Sequence, residues 1–187
     1  MLLINLILII LLLIFEFKTD YKIIKNVTIK PGTIIVCSHE YEHKDIFIML
    51  QEITKYNNKY YILFADKYWN YLIEPFRPDN AEFVYIKGDT VNKLSNKLLL
   101  GYNIIIFLYK ENKSNGIYHI LNKTKAPLTL FKIKGDKNGF NHENSSYLKI
   151  MFLNKNINYS IKYQQINYNL NHTPKTFMKK LKNNLYS

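Results

Sequence analysis

The sequence predicts an α/β fold, a single domain with a largely parallel central sheet flanked by helices and preceded by an apolar N-terminal helix. Three observations lead there. From about residue 33 to 133, short apolar runs rich in β-branched and aromatic residues alternate with stretches of helical periodicity, the pattern of strand–helix–strand units. One of those runs, NIIIFLY (103–109), is almost wholly apolar, as a strand covered on both faces requires. The length of 187 residues, with 48% hydrophobic and 15% aromatic content, suits one domain with a substantial core and excludes a disordered chain.

The elements follow in order. Residues 1–15, MLLINLILIILLLIF, are apolar except for Asn5. As a helix they span roughly 22 Å against the ~30 Å hydrocarbon core of a bilayer, and Phe17 extends them. No Lys or Arg precedes the run and no small-residue cleavage pattern follows it, unlike a secretory signal. Lys18, Lys22 and Lys25 lie just after it, so the positive-inside bias places the remainder on the cytoplasmic side. The expected organisation is a membrane anchor at 1–17 and an α/β domain at 18–187, with a buried N-terminal helix as the alternative.

NVTIK (26–30) and TIIVCS (33–38) read as strands parted by the turn dipeptide Pro31-Gly32. Residues 44–56 place Ile46, Met49, Leu50 and Ile53 at i, i+3, i+4 and i+7, which predicts an amphipathic helix. YYILF (60–64) is a strand, and KYWNYLIEPF (67–76) a helix ended near Pro75. A strand at 82–86 and a helix at 90–102 precede the strand at 103–109. After a short helix at 116–125 come strands at 128–133, 147–152 and 159–166, the last two suggesting an antiparallel edge, and a closing helix at 174–186. Residues 134–146 read as a loop.

A formal charge of +12 means attraction to polyanions such as anionic headgroups or phosphorylated substrates. Nucleic acid is not the expected partner, because the lysines are spread along the chain and Arg77 is the only arginine. The single cysteine excludes an intrachain disulfide framework and a cysteine-based zinc finger.

The stretch CSHEYEHKD (37–45) puts two histidines, three acids and that cysteine between two apolar runs, at a strand's carboxyl end where ligands of α/β sheets bind. A histidine there can serve as general base, and an aspartate on its other ring nitrogen fixes the tautomer. His39 and Asp45 form such a pair, Asp45 opening the next helix. Two other chemistries stay open: Cys37 as a nucleophile with His39 as base, and a metal held by His39, Glu40, His43 and Asp45, although no H-E-x-x-H register exists. A solvated turn is the plain reading. His119, His142 and His172 are scattered without ligand spacing.

Ser38-His39…Asp45 resembles the N-H-x-x-x-x-D motif of the PlsC-like glycerolipid acyltransferases, the lysophosphatidic acid acyltransferases, with one extra residue in the spacing and Ser38 in place of the asparagine. Further blocks occur in the family's order. EFVYIK (82–87) resembles the second, with Lys87 in its basic position; IIIFLYKENKS (104–114) resembles the third, with Glu111 at its glutamate but its Pro, Gly and Arg absent; APLTLF (126–131) resembles the fourth, with Pro127 at its proline.

The resemblance implies a membrane-associated acyltransferase of phospholipid biosynthesis. It would move a fatty acyl group from acyl-CoA or acyl carrier protein, as co-substrate and with no other cofactor or metal, to a lysophospholipid or glycerol phosphate-type acceptor. His39 would deprotonate the acceptor hydroxyl with Asp45 orienting it, Lys87, Lys110 and Lys113 would attract the acceptor phosphate, and Glu111 would order that loop. The departures from the motifs also admit a catalytically inactive relative that binds membrane lipid, or a membrane-tethered basic binding module.

Overall fold

In a computed structural model of the protein, the described residues are 21–25, 28–38, 43–64, 74, 77–111, 113–135 and 159–187. The expected anchor at 1–17, the strand at 147–152 and, Glu74 apart, the helix at 67–76 lie outside them. The described residues form a seven-stranded sheet and four helices.

Strand β2 (Ile34–Ser38) lies inside the sheet. Its run of apolar residues has no polar side that could face water, so it needs neighbours on both edges and both faces. It pairs in parallel with β5 (Asn103–Leu108) on one edge and β6 (Leu128–Gly135) on the other. Beyond β5 lie β3 (Tyr60–Phe64) and β4 (Ala81–Tyr85), both parallel. On the opposite flank β7 (Tyr159–Ile166) runs antiparallel to β6, and β1 (Tyr21–Lys25) joins β7 in parallel. The order is β1-β7-β6-β2-β5-β3-β4. The largely parallel sheet expected from the sequence is therefore present, with its antiparallel pairing made by β7.

The helices are α1 (His43–Ile53), α2 (Thr90–Leu99), α3 (Gly116–Thr124) and α4 (Pro174–Leu185). Alternation along β2 sends successive side chains to opposite faces. Ile35 and Cys37 join the core formed with Ile46, Met49 and Leu50 of α1, whereas Ile34 and Val36 join the core formed with Leu94, Ile120 and Phe177 of the other three helices. Each fully buried aliphatic side chain here contributes about 1.5–3 kcal/mol relative to exposure. The end of α1 is closed from a distance: the Asn80 amide donates to the carbonyls of Tyr56 and Asn58 at 2.9 and 3.0 Å, with Ile53 at 3.3 Å. At α4, the Thr173 hydroxyl accepts from the Thr176 N–H and Pro174 occupies the first turn.

Two expectations are corrected. Residues 28–30 lie outside any strand, and the strand of this region is β1, five residues earlier. The reason is the available partner. YKIIK finds the open edge of β7, while the carbonyl of Lys30 is taken by the Thr33 hydroxyl at 2.7 Å as the chain enters its turn. The loop expected from 134 begins later, because pairing with β7 carries β6 through Lys134 and Gly135. Among the described residues, no helix is long and apolar enough to cross a membrane.

The Pro31-Gly32 turn sets the entry to β2. Gly32 has φ of +75°, donates its N–H to the carbonyl of Gly101 at 3.1 Å, and would bring a Cβ to 3.0 Å from the carbonyl of Leu98. Gly32→Ala is therefore expected to destabilise the protein by about 1 kcal/mol or more. Gly88→Ala, where an added Cβ meets nothing within 4 Å, should stay within about 0.5 kcal/mol. Urea unfolding of the two variants checks this, and equal midpoints would refute it.

Candidate functional site

Because β2 to β6 run parallel, the carboxyl ends of five strands share one edge of the sheet. Three of the sequence-predicted positions follow strand ends there: His39 comes after Ser38 of β2, Lys87 follows β4 and Lys110 follows β5. His39 and Glu40 lie outside the described residues, so the expected His39–Asp45 pairing does too. The same holds for any metal site that includes them. Among the described residues no group of three or more His, Cys, Asp or Glu could hold a metal ion.

Asp45 is 0% exposed in the first turn of α1. The helix N-terminus favours a carboxylate there, which offsets part of the cost of burying it. Its neighbour across the core is Cys37. Burial pushes the Cys37 thiol well up, and the nearby Asp45 charge pushes it further. The thiol is therefore protonated at neutral pH, an inert packing group rather than a ready nucleophile. Ser38 accepts the N–H of Ile133 on its hydroxyl oxygen at 2.9 Å. It ties β2 to β6 where both strands approach their ends.

A second buried acid lies further along α1. Glu52 is 0% exposed, and its Oε2 takes the Lys55 ammonium at 3.0 Å. Tyrosines surround it. Burial, with Glu52 as the leading charge, pushes the Tyr163 phenol far above its ordinary range. Burial also pushes Tyr60 up to about 12, with the nearby Asn58 and Asn103 amides acting the other way. The core under α1 thus carries Asp45, Cys37, Glu52 and the phenols of Tyr60, Tyr159 and Tyr163.

Lys110 and Lys113 come together with residues that sequence reading missed. They line a groove of about 860 Å³ whose opposite wall is α4, with Lys175, Lys179 and Lys182. Spacings of four and three residues set these lysines on one helical face, a periodicity readable in the sequence itself. Glu111 is exposed and is not among the lining residues. Nor is Lys87. It lies at the end of edge strand β4, two strands from β5, where its backbone N–H and carbonyl bond the Thr90 hydroxyl at 2.6 Å. The structure therefore joins Lys110 and Lys113 but does not bring Lys87 to them. A further lysine, Lys132, is buried on β6 with its ammonium 3.2 Å from the Ser187 hydroxyl; burial pushes it down, and Lys162 and Lys134 add like charge.

No protein-family model matches this chain, and no curated protein matches it.

The phenol of Tyr60 gives the α1 core a signature in alkali. Below pH 10 it is neutral in both states. Between pH 10 and about 12 the unfolded chain ionises it and the folded chain does not, so this stabilising difference is lost as pH rises. Unfolding free energy measured across that window should fall less steeply in Tyr60→Phe than in the parent. Identical slopes would remove Tyr60 as the source.

Proposed function

We propose that the protein is a membrane-associated acyltransferase that moves a fatty acyl group from acyl-CoA or acyl carrier protein to a lysophospholipid or glycerol phosphate-type acceptor. The observation that carries this reading is the buried carboxylate of Asp45, held in the first turn of α1 beside the end of central strand β2. It stands six positions after His39, the residue that follows that strand. A buried carboxylate beside a strand end suits the orienting partner of an imidazole base. His39 takes the proton from the acceptor hydroxyl, whose oxygen attacks the thioester carbonyl. The C–S bond then breaks and the thiol leaves with a proton. No acyl-enzyme is required, because holding both substrates in register supplies much of the acceleration. The protonated, buried state of the Cys37 thiol supports the same route over a covalent one.

A second reading, a tethered basic binding module without chemistry, is favoured by the lysine groove, which needs no histidine. One experiment separates the two. The full chain in neutral detergent is incubated with labelled acyl-CoA and a panel of lysophospholipids. Transfer is expected, reduced by about 10²- to 10⁴-fold in His39→Ala and strongly in Asp45→Asn, with most activity kept in Cys37→Ser. No transfer to any acceptor would leave the binding module, and a dead Cys37→Ser enzyme with a trapped acyl group would establish covalent catalysis.

The apolar run followed by lysines supports an anchor at residues 1–17. Deleting it is expected to move the protein into the soluble fraction. A truncated protein that still sediments with membranes after a salt wash would show that another surface tethers it.

A further inference from the structure

The groove between the β5–α3 loop and α4 gathers more positive charge than a single phosphate can use. Lys110 and Lys113 come from the loop, and Lys175, Lys179 and Lys182 from one face of α4. No carboxylate is among the described residues that line it. A phosphate monoester carries about −1.5 to −2 near neutral pH. Five ammonium groups are therefore matched by two or three phosphates, not by one.

The groove is also built rather than merely charged. The Lys182 ammonium donates to the carbonyl of Lys110 at 2.9 Å, which fixes α4 against the end of β5. The Tyr186 hydroxyl donates to the carbonyl of Leu108 and holds its ring in the wall, while Met178 adds apolar surface. Asn115, the residue before α3, also lines the groove, and the first N–H of that helix, from Gly116, donates to the Ser114 hydroxyl at 3.2 Å. A volume of about 860 Å³ falls within the ~300–1,000 Å³ of small-molecule sites. An aromatic and a thioether surface beside the lysines suits a ligand with an apolar or ring portion as well as phosphates.

We infer that this groove binds a small ligand carrying at least two phosphate groups, with Lys175 and Lys179 as contacts beside Lys110 and Lys113. The inference shares Lys110 and Lys113 with the acceptor-binding part of the reading above, but it does not rest on His39 or on acyl transfer. Because α4 packs on the face of the sheet opposite α1, the groove opens on the side away from Asp45. Its ligand therefore has room of its own at the shared strand edge.

Calorimetry on the full chain in neutral detergent tests this with three probes: inorganic phosphate, inorganic pyrophosphate and a water-soluble short-chain phosphatidylinositol bisphosphate. Pyrophosphate or the short-chain lipid is expected to bind about tenfold or more tightly than phosphate, and which of them wins identifies a soluble or a lipid source. Lys175→Glu and Lys179→Glu should each weaken that binding by about 10- to 150-fold, because each removes a contact to a charged group. Lys93→Glu, an exposed charge on α2 outside the groove, should change it by no more than about twofold. All three positions are exposed, and circular dichroism confirms that the variants fold. Bisphosphates that bind no better than phosphate, or an equal loss in Lys93→Glu, would overturn the proposal. His39→Ala should leave the binding unchanged, so a failure of acyl transfer and a failure of this site are read separately.

Discussion

Strand β2 has water on neither edge and neither face, and its neighbours are arranged by that fact. Ile34, Ile35, Val36 and Cys37 are each 0% exposed, and the backbone pairs with β5 on one side and β6 on the other. Parallel pairing on both edges requires a crossover for each neighbour, which brings helices to both faces. Those crossovers also align the carboxyl ends of β2 to β6 along one edge. The chain must leave β2 there, and its polar stretch from Ser38 to Asp45 follows at the position where α/β sheets collect ligands.

The two faces of the sheet are chemically different. On the α2–α3–α4 face the aliphatic and aromatic core includes buried Thr90, Ser95 and Lys132 but, among the described residues, no buried carboxylate. On the α1 face the same sheet buries Asp45 and Glu52 with several phenols. Buried carboxylates cost several kcal/mol unless compensated. Glu52 has Lys55, and Asp45 has the favourable end of α1. An apolar side chain at either position would avoid that cost. The arrangement keeps ionisable groups under α1 at a cost in stability.

Charge is sorted along the edge as well. The carboxylate lies inside under α1, while the loop after β5 and one face of α4 concentrate lysines on the opposite side of the sheet. Lysine is a flexible point charge, so a lysine site gains definition only when something fixes its frame. Here the bond from Lys182 to the carbonyl of Lys110 and the contact from Tyr186 to Leu108 do so. The buried carboxylate and the lysine groove therefore lie on opposite faces of the sheet.

The strands at 60–64 and 103–109, the helix from Ile46 to Ile53 and the closing helix from residue 174 were legible because their signals are local: periodicity and β-branched runs. The choice of Tyr21–Lys25 over 26–30 as a strand was not local, since it depended on which segment met the free edge of β7. The same pairing set the end of β6 at Gly135. The sequence singled out Asp45, Lys110 and Lys113 by residue type and position. Only the packing of a helix from the far end of the chain decided that Lys175, Lys179 and Lys182 join the last two while Lys87 stays apart. Residue types and periods are written in neighbouring positions, but which charges share a groove is set by long-range strand order, and no window of sequence contains it.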